Sequence, residues 1–326
     1  MTGKIIAPIL NSDQALAKLQ ASPHPWHRDY LAMYSSHWQG IVTDPWLMML
    51  PLDDHLVHRG DGVFEACKCI NSGVYLLDLH LERLAASAAS VFIDNPYSRT
   101  QLRELCLDTI RAARVRECIL RLYLGRGPGS FTANPFDSVG PSLYIMVSAF
   151  HPPQPEIYTR GVKAGFSYLP VKPGLHARVK SCSYLPNVLV KHEAAGKGWA
   201  YALWVDPDGT VGECASENYI FLDEQNYLVF PEAGRIIDGL TVRRVRDLAS
   251  SLTEEGLIKG IKQKKVREDD FKQAREIMIV STTINVVPVV LMAGRPVGKG
   301  GPGPVAGRLK DMMEADILSL KMSAAL

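Results

Sequence analysis

The chain has 326 residues, of which 47% are hydrophobic, and its formal net charge at pH 7 is +2. This length predicts two domains in contact rather than one small core. The near-balanced charge, without a basic run interleaved with aromatic residues, argues against nucleic acid as a partner. No apolar run is long enough to cross a bilayer, and the N-terminus MTGKIIAPILNSDQ holds no long apolar segment, so we expect a cytoplasmic protein with no membrane partner.

The first 150 residues predict an N-terminal extension followed by a smaller domain. Residues 1–37 combine a short helical pattern, SDQALAKLQASP, with the turn-rich PHPWHRD, and we interpret them as the extension. From residue 38 to 150 the patterns predict strands at GIVTD, LMMLPL, VFEACKCI and GVYLLDL, helices at HLERLAASAASVF and SRTQLRELCLDTIRAARV, and strands at CILRLYLGRG and SLYIMVSAF. The proline-rich residues that follow, 151–160, predict a linker between domains.

Residues 161–326 predict a larger domain. Its patterns indicate a strand at GVKAGFSYLPV, a helix over about Leu185 to Ala195, strands at YALWV and TVGECA, a hairpin at NYIFLDEQNYLVF, a helix from near Leu240, late strands in EIMIVSTTINVVPVVLM, and a terminal helix. Strands and helices mix without regular alternation, which predicts an α+β fold of two domains.

The stretch HARVKSCSYLPNVLVKHEAAGKG contains the lysine that is the best candidate for chemistry. Lys180 lies just before the predicted helix, whose candidate caps are Ser181 and Ser183, and the helix dipole there lowers an amine pKa, as an imine-forming lysine requires. An ordinary loop lysine is the other interpretation. Lys191 and Lys197 lie near the helix C-terminus and are interpreted as surface charges. The spacing within this helix predicts one buried stripe, made of Leu185, Val188, Leu189 and His192.

Three further positions offer partners for an aldehyde cofactor bound to such a lysine. The helix start at Gly239, Leu240 and Thr241 offers backbone N–H groups and a hydroxyl to a phosphate, although Asp238 or Thr241 as a simple cap explains it equally well. Glu213, within an apolar predicted strand, is either exposed or buried against a cation such as a pyridinium. Arg83, on an Ala/Ser-rich helix, is either a ligand or one half of a surface ion pair with Glu82.

No metal site is predicted. The six cysteines show no C-x-x-C spacing, and Cys67 and Cys69 are interpreted as small core residues of a strand. His55 and His58 form a pair, but no further ligand cluster accompanies them, and a zinc site needs three or four protein ligands.

Five motifs in order give the chain a resemblance to a known family. HRGDGVFEACKCINSGVYLLDLHLERLAASA, RVKSCSYLPNVLVKHEA, VGECASENYIF, GLTVRRV and VSTTINVVPVV resemble the class IV (fold type IV) pyridoxal phosphate enzymes over roughly residues 38 to 315. That family contains branched-chain transaminases, D-amino-acid transaminases and aminodeoxychorismate lyases. The stretches MLPLDDHLVHRGDGVFEA, LGRGPGSF and KSCSYLPNVL look most like its plant plastid members, described as D-amino-acid transaminase or aminodeoxychorismate lyase.

The resemblance implies pyridoxal 5'-phosphate as cofactor and a role for each matching residue. It makes Lys180 the cofactor lysine and the catalytic acid/base, and Glu213 the partner of the pyridine nitrogen. The phosphate ligands would be Arg83, Leu240, Thr241 and Thr282. Tyr184 and Asn218 match cofactor-site residues, and Arg121 and Thr283 match residues of the substrate pocket. The family is dimeric, which would place Arg59 of one copy in the site of the other.

Some positions depart from the family pattern. The arginine and histidine of a known carboxylate trap correspond to Phe131 and Ala133, and a tyrosine of that trap corresponds to Val57, so the substrate carboxylate would use Arg121 and Arg59 instead. Glu65, an acid where bacterial lyases carry a hydroxyl residue, favours transamination.

We therefore expect an aminotransferase acting on a small α-amino acid, D enantiomers included, and a 2-keto acid. The alternatives are an aminodeoxychorismate lyase that releases pyruvate and 4-aminobenzoate, a branched-chain amino acid transaminase, and a non-catalytic scaffold that keeps the fold.

Overall fold

The first half of the chain forms one antiparallel sheet with two helices on one face. The structure is a computed structural model, and it describes residues 7–21, 24–169, 174–234 and 236–319. The elements of this half have these bounds: α1 (Ser12–Ala21), β1 (Tyr30–Ser35), β2 (Gly40–Val42), α2 (His55–Arg59), β3 (Gly62–Ile70), β4 (Gly73–Val74), α3 (Leu77–Ser90), α4 (Arg99–Ala113), β5 (Cys118–Gly125) and β6 (Ser142–Ala149). The strand order is β2-β1-β6-β5-β3-β4.

Alternation along β3 separates the two faces of this sheet. Val63, Cys67 and Cys69 are buried in the core under α3 and α4, whereas Phe64 and Lys68 point to the opposite face, because successive strand side chains alternate. Helix α4 begins at a capping box, in which Ser98 Oγ accepts from the Gln101 N–H and Gln101 Oε1 accepts from the Ser98 N–H. The predicted core role of Cys67 and Cys69 is confirmed.

The second half forms a larger mixed sheet covered on both faces. Its elements have these bounds: α5 (Glu156–Thr159), β7 (Val162–Ser167), α6 (Leu175–Arg178), α7 (Leu185–Gly196), β8 (Tyr201–Trp204), β9 (Asn218–Leu222), β10 (Tyr227–Pro231), α8 (Leu240–Ala249), α9 (Ser251–Glu254), β11 (Gly260–Lys264), α10 (Glu268–Lys272), β12 (Glu276–Ser281), β13 (Asn285–Met292), β14 (Arg295–Pro296) and α11 (Pro304–Ser319). The strand order is β11-β10-β9-β12-β13-β7-β8, and β14 pairs with β13. The α+β class predicted from the sequence is confirmed.

Polar contacts join the two halves. The Tyr75 hydroxyl donates to Asp316 Oδ2 on α11 at 2.5 Å, and Arg244 Nε on α8 donates to the same oxygen at 2.9 Å. On β3, Lys68 Nζ donates to Asn285 Oδ1 of β13 at 2.8 Å. These contacts fix the first sheet against β13 and its neighbouring helices. Within the described residues no helix is long and apolar enough to cross a membrane.

Four predicted local structures are wrong. Strand β1 pairs with β2 and β6, so the first sheet begins at Tyr30, inside residues 1–37. LMMLPL, residues 47–52, holds no strand, because Pro51 lies within it and Pro45 shortly before it, and a proline has no N–H for a ladder. GVYLLDL pairs only over Gly73–Val74 before α3 begins. TVGECA makes only single bridges, through Val211 to Val205 and through Thr210 to Arg267.

The buried face of α7 also differs from the prediction. Its buried residues are Asn187, Val190 and Ala194, whereas Leu185, Val188 and Leu189 are 69%, 56% and 47% exposed. Neither Ser181 nor Ser183 caps the helix, whose N-cap is Tyr184. Because the helix packs on β7 and β8 through small residues, the bulky apolar stripe is left on the surface of the single chain.

Candidate active site

Lys180 belongs to the second half of the chain, but its backbone is hydrogen-bonded to strand β3 of the first half. The Phe64 N–H donates to the Lys180 carbonyl at 2.9 Å, and the Cys182 N–H donates to the Gly62 carbonyl at 2.8 Å. Ser181 forms an antiparallel bridge with Val63 between them. This short ladder extends β3 by one neighbour and fixes the direction of the lysine side chain.

Burial lowers the pKa of the Lys180 amine. Loss of hydration is the largest cause, and the nearby Arg83 guanidinium adds to it, whereas Glu65, Glu213 and Glu217 act in the opposite direction. The amine lies 4.5 Å from the centre of the Phe64 ring, and Tyr184 meets that ring edge-on at 5.4 Å. A larger neutral fraction of the amine at neutral pH is what nucleophilic and base chemistry requires.

A pocket around this amine, hereafter the Lys180 pocket, brings together eight of the eleven predicted site residues. They are Arg83, Lys180, Tyr184, Glu213, Asn218, Leu240, Thr241 and Thr282. These residues come from α3, the segments around α7, β9 with the irregular segment before it, α8 and the turn after β12, so five separate parts of the chain line one small pocket.

An acid and an amide form one side of the pocket. Glu213 Oε2 accepts from Asn218 Nδ2 at 3.0 Å and from the Ile237 N–H at 3.1 Å. Asn218 Nδ2 also donates to the Ile237 carbonyl at 3.1 Å. Glu213 is buried, so of the two alternatives left by the sequence, exposed or buried, the structure has the second. Its irregular backbone, in place of the predicted strand, still places the carboxylate toward the pocket.

An uncapped helix start forms another side. The N-cap of α8 is Gly239, and no side chain of the described residues caps its N–H groups. Asp238 accepts instead from Arg243, and Thr241 Oγ1 lies 3.4 Å from Thr282 Oγ1 across the pocket. Open N–H groups and two facing hydroxyls make an anion cradle.

A glycine keeps this cradle open. A Cβ added at Gly239 would lie 2.0 Å from Asn218 Oδ1. The Asn218 side chain, which orients Glu213, therefore packs so closely against the start of α8 that residue 239 has no room for a side chain.

Arg83 faces the cradle and is paired mainly with the Glu65 carboxylate. Arg83 Nε and Nη2 donate to the two oxygens of Glu65 at 2.7 Å each, and Nη1 donates to the Asp238 carbonyl at 3.1 Å. The predicted alternative partner, Glu82, pairs with Arg99 instead. A guanidinium has five N–H hydrogens, so three of these bonds to described residues leave two hydrogens for an anion.

Glu65 is held ionised by two partners. Burial alone would raise its pKa, but hydrogen bonds from Arg83 and His80, together with the positive charge of Arg83, lower the pKa to about 2. His80 Nδ1 lies 2.7 Å from Glu65 Oε2, and burial lowers the pKa of His80. His80 was not among the site residues predicted from the sequence. Its place three residues before Arg83 on one helix face was the available signal.

Three predicted residues lie outside the Lys180 pocket. Arg59 Nη2 donates to the Phe131 carbonyl at 2.5 Å on the exposed surface. Arg121 Nη1 donates to Ser148 Oγ at 2.7 Å, on the face of the first sheet that carries Phe64 and Lys68. Thr283 lines a neighbouring cavity, on the other side of the turn that carries Thr282.

Comparison with known proteins agrees with this geometry. A family model described as amino-transferase class IV matches residues 62–292. The chloroplastic D-amino-acid transaminase of Arabidopsis thaliana is 37% identical over 313 residues, covering 96% of this chain and 83% of that protein. A putative branched-chain-amino-acid aminotransferase of Methanocaldococcus jannaschii is 30% identical over 259 residues, covering 79% and 88% respectively.

A solved structure shares the fold. The branched-chain amino acid aminotransferase of Thermobaculum terrenum, in its holo form with pyridoxal phosphate, superposes with a TM-score of 0.74 at 20% identity, covering 89% of this chain and 94% of that one. The chain therefore belongs to the class IV aminotransferase family. It is a pyridoxal-phosphate-dependent transaminase with the fold type IV architecture.

The residues of the Lys180 pocket fit this cofactor. The amine of Lys180 supplies the bond to an aldehyde, the start of α8 with Thr241, Thr282 and Arg83 suits a phosphate, and Glu213 suits a protonated ring nitrogen. Because Gly239 has no side chain, the start of α8 stays accessible to the phosphate group of the cofactor.

Proposed function

We propose that this transaminase exchanges the amino group of a small α-amino acid, D enantiomers included, with a 2-keto acid. The observation that carries the proposal is the buried amine of Lys180, held by the β3 ladder between the Phe64 ring and the pocket that contains Glu213. The 37% identity with the plant D-amino-acid transaminase supports the D enantiomers. The presence of Glu65 as a buried acid supports transamination over elimination.

Each residue of the pocket has a definite task in this proposal. The cofactor, when bound, supplies an electron sink for the α-carbon of the substrate. Lys180 Nζ, whose pKa burial lowers, accepts the proton of that carbon and returns it at the neighbouring position. Glu213, oriented by Asn218 and the Ile237 N–H, keeps the ring nitrogen protonated. The α8 start with Thr241, Thr282 and Arg83 anchors the phosphate.

The test is a substrate panel. Purified protein loaded with pyridoxal phosphate is mixed with individual D- and L-amino acids, with and without a keto acid, and the cofactor spectrum is followed. The proposal predicts one half-turnover without a keto acid and continuous turnover with one, with D-alanine among the reactive amino acids. Aminodeoxychorismate is included in the panel. Continuous release of pyruvate and 4-aminobenzoate from it without any keto acid would contradict the proposal and support the lyase.

We further propose that the protein works as a homodimer with Arg59 acting in the partner's site. Two exposed apolar groups support a second copy: the α7 stripe, and the loop in which Phe131, Phe136 and Val139 are 60%, 91% and 81% exposed. Arg59 binds the backbone of that loop rather than its own Lys180 pocket.

Mixed variants test this arrangement. Lys180→Ala and Arg59→Ala are each assayed alone and after unfolding and refolding together. Activity that appears only in the mixture, with the mass of a dimer by light scattering, supports action across the interface. A monomer, or a mixture no more active than its parts, would contradict it.

A further inference from the structure

One polar side chain lies on the buried face of α7, at the end of the helix nearest to Lys180. Asn187 is 4% exposed, and the other buried residues of this helix, Val190 and Ala194, follow it at spacings of three and four. These two residues pack in a small apolar cluster with Ala202, Trp204 and Ala215. An apolar side chain would suit this face of the helix, so the amide at its end requires another explanation.

The Asn187 amide makes a hydrogen bond to a distant part of the chain. Its Nδ2 donates to the Ala215 carbonyl at 2.5 Å, across 28 positions. A carbonyl oxygen only accepts, so the nitrogen of the amide must face it. Asn187 Oδ1 is buried and accepts no hydrogen bond from the described residues. Because an unmet buried oxygen costs stability, the N–H donor is the part of this side chain that has a use.

Ala215 belongs to an irregular segment that carries two groups of the active-site pocket. Glu213 lies two residues before it and Asn218 three residues after it, and both line the pocket, as Ala215 itself does. Within this segment the Cys214 N–H donates to the Glu217 carbonyl at 2.8 Å, which closes a tight turn. The position of this turn therefore decides where the Glu213 carboxylate lies.

The other end of the Asn187 hydrogen bond belongs to the segment that carries the reactive amine. Helix α7 begins at Leu185, five residues after Lys180, and its N-cap Tyr184 lines the pocket. The backbone of Lys180 is in turn held by β3. The bond from Asn187 to the Ala215 carbonyl therefore joins the segment with the amine to the segment with the carboxylate.

These two segments face opposite ends of the cofactor that the pocket fits. Lys180 serves the aldehyde, and Glu213 serves the ring nitrogen. A rigid aromatic ring separates those two groups, so it does not adapt to a change in the distance between the segments. A misplacement of about 1 Å lowers the rate of a catalysed reaction by up to about 100-fold.

We propose that Asn187 is a positioning residue for transamination, whose hydrogen bond to the Ala215 carbonyl fixes the Glu213 segment relative to Lys180. Asn187 does not line the pocket, so it acts through the turn rather than on the reacting atoms. This assignment rests on the roles proposed above for Lys180 and Glu213.

Three variants separate the hydrogen bond from the packing of the same helix face. Asn187→Leu keeps the volume of the side chain and removes the donor, whereas Asn187→Gln keeps an amide. Val190→Ala, one turn further along the buried face, removes packing but no hydrogen-bond donor. Asn187→Ala replaces Asn187→Leu if the latter does not fold.

The variants are compared with and without the cofactor. Hydrogen exchange, read by mass spectrometry over residues 211–218 of the cofactor-free proteins, reports whether the turn is held. The proteins loaded with pyridoxal phosphate then give steady-state kcat and KM, and the pH dependence of the cofactor absorbance without substrate.

Asn187→Leu should speed exchange over residues 211–218 about 10-fold, as for the loss of one buried hydrogen bond. In the loaded enzyme kcat should fall about 10- to 100-fold, with KM changed less than about threefold, because Glu213 is displaced while the substrate contacts remain. The pH at which the cofactor absorbance changes should shift by roughly half a unit or more, since a carboxylate near the ring nitrogen has moved.

The other two variants should behave differently from Asn187→Leu. Asn187→Gln should retain most of the kcat and most of the exchange protection, because it keeps the donor. Val190→Ala should lower the stability of the protein through lost packing, but it should leave kcat, the exchange of residues 211–218 and the pH dependence of the absorbance unchanged.

Three results would overturn the assignment while the proposed function stands. Exchange over residues 211–218 that is unchanged in Asn187→Leu would show that Asn187 does not hold the turn. Faster exchange with unchanged kcat and absorbance would leave Asn187 a structural role only, and equal losses in Val190→Ala would assign the effect to packing. A wild-type enzyme that transaminates no amino acid would overturn the proposed function and this assignment with it, and wild-type activity distinguishes that outcome from the other three.

Discussion

The buried ion pair between Glu65 and Arg83 gives the sharpest test of the energetics of the site. Glu65→Gln keeps the shape of the side chain and removes the charge that both Arg83 and His80 face. The pKa of Glu65 falls from 4.5 to about 2 in the folded protein. At about 1.4 kcal/mol per pKa unit, the ionised form contributes roughly 3 kcal/mol to the free energy of unfolding. Removal of one partner from a buried pair costs a similar amount, about 3 to 5 kcal/mol.

The sign of the pH dependence follows from the depressed pKa. The contribution is complete above about pH 4.5, where the carboxyl of the unfolded chain is also ionised, and is lost as the pH falls toward 2. The stability difference between wild type and Glu65→Gln should therefore be roughly 3 kcal/mol at pH 7 and shrink through this window.

Urea unfolding of the cofactor-free protein at pH 7, 5 and 3.5 measures this difference without the contribution of bound ligand. Glu82→Gln is the matched control, because Glu82 lies one residue before Arg83 and pairs with Arg99 where both side chains are more than half exposed. That change should cost less than about 1 kcal/mol. Equal effects of the two substitutions, or a Glu65→Gln effect that does not depend on pH, would refute the reasoning.

Two further predictions concern the anion cradle. Gly239→Ala should weaken cofactor binding at least about 10-fold, because the new Cβ would lie 2.0 Å from Asn218 Oδ1 and displace the amide that orients Glu213. Gly307→Ala is the control. It adds a Cβ at a helical position with open space around it and should leave cofactor binding unchanged. Spectroscopic titration of the cofactor measures both, and equal affinities would contradict the close approach. Thr282→Val should weaken the binding of pyridoxal phosphate about 10-fold, as for the loss of one hydrogen bond to a charged group, with little effect on pyridoxal, which has no phosphate; an equal effect on both ligands would place the hydroxyl away from the phosphate.

The local sequence predicted the elements that carry strong periodic patterns. Helix α4 and strands β3, β5 and β6 lie where alternation and capping residues placed them. LMMLPL and TVGECA were wrong because apolar composition alone does not provide a pairing neighbour, and prolines or irregular backbone intervene. The α7 stripe was wrong for a related reason, since helical spacing finds an apolar face but does not say whether the chain itself or another surface covers it.

The site residues likewise divide into those that local sequence predicts and those that depend on distant parts of the chain. Lys180, Glu213 and the start of α8 were named from their local surroundings, but the ladder that brings Lys180 to β3 joins residues more than 110 positions apart, and no local pattern contains it. Lys68 is an example of a residue whose environment depends on tertiary packing. In the sequence it is one polar residue in a strand, and only the packing of β13 and the linker makes it a buried cation that faces a cavity.

The central claim is that the amine of Lys180 bonds to the cofactor aldehyde. Protein loaded with pyridoxal phosphate is reduced with borohydride, digested, and mapped by mass spectrometry for the phosphopyridoxyl adduct. The account predicts that the adduct lies on Lys180 and is absent from Lys191 and Lys197, the two other lysines of the same stretch. An adduct on another lysine, with Lys180 unmodified, would contradict it.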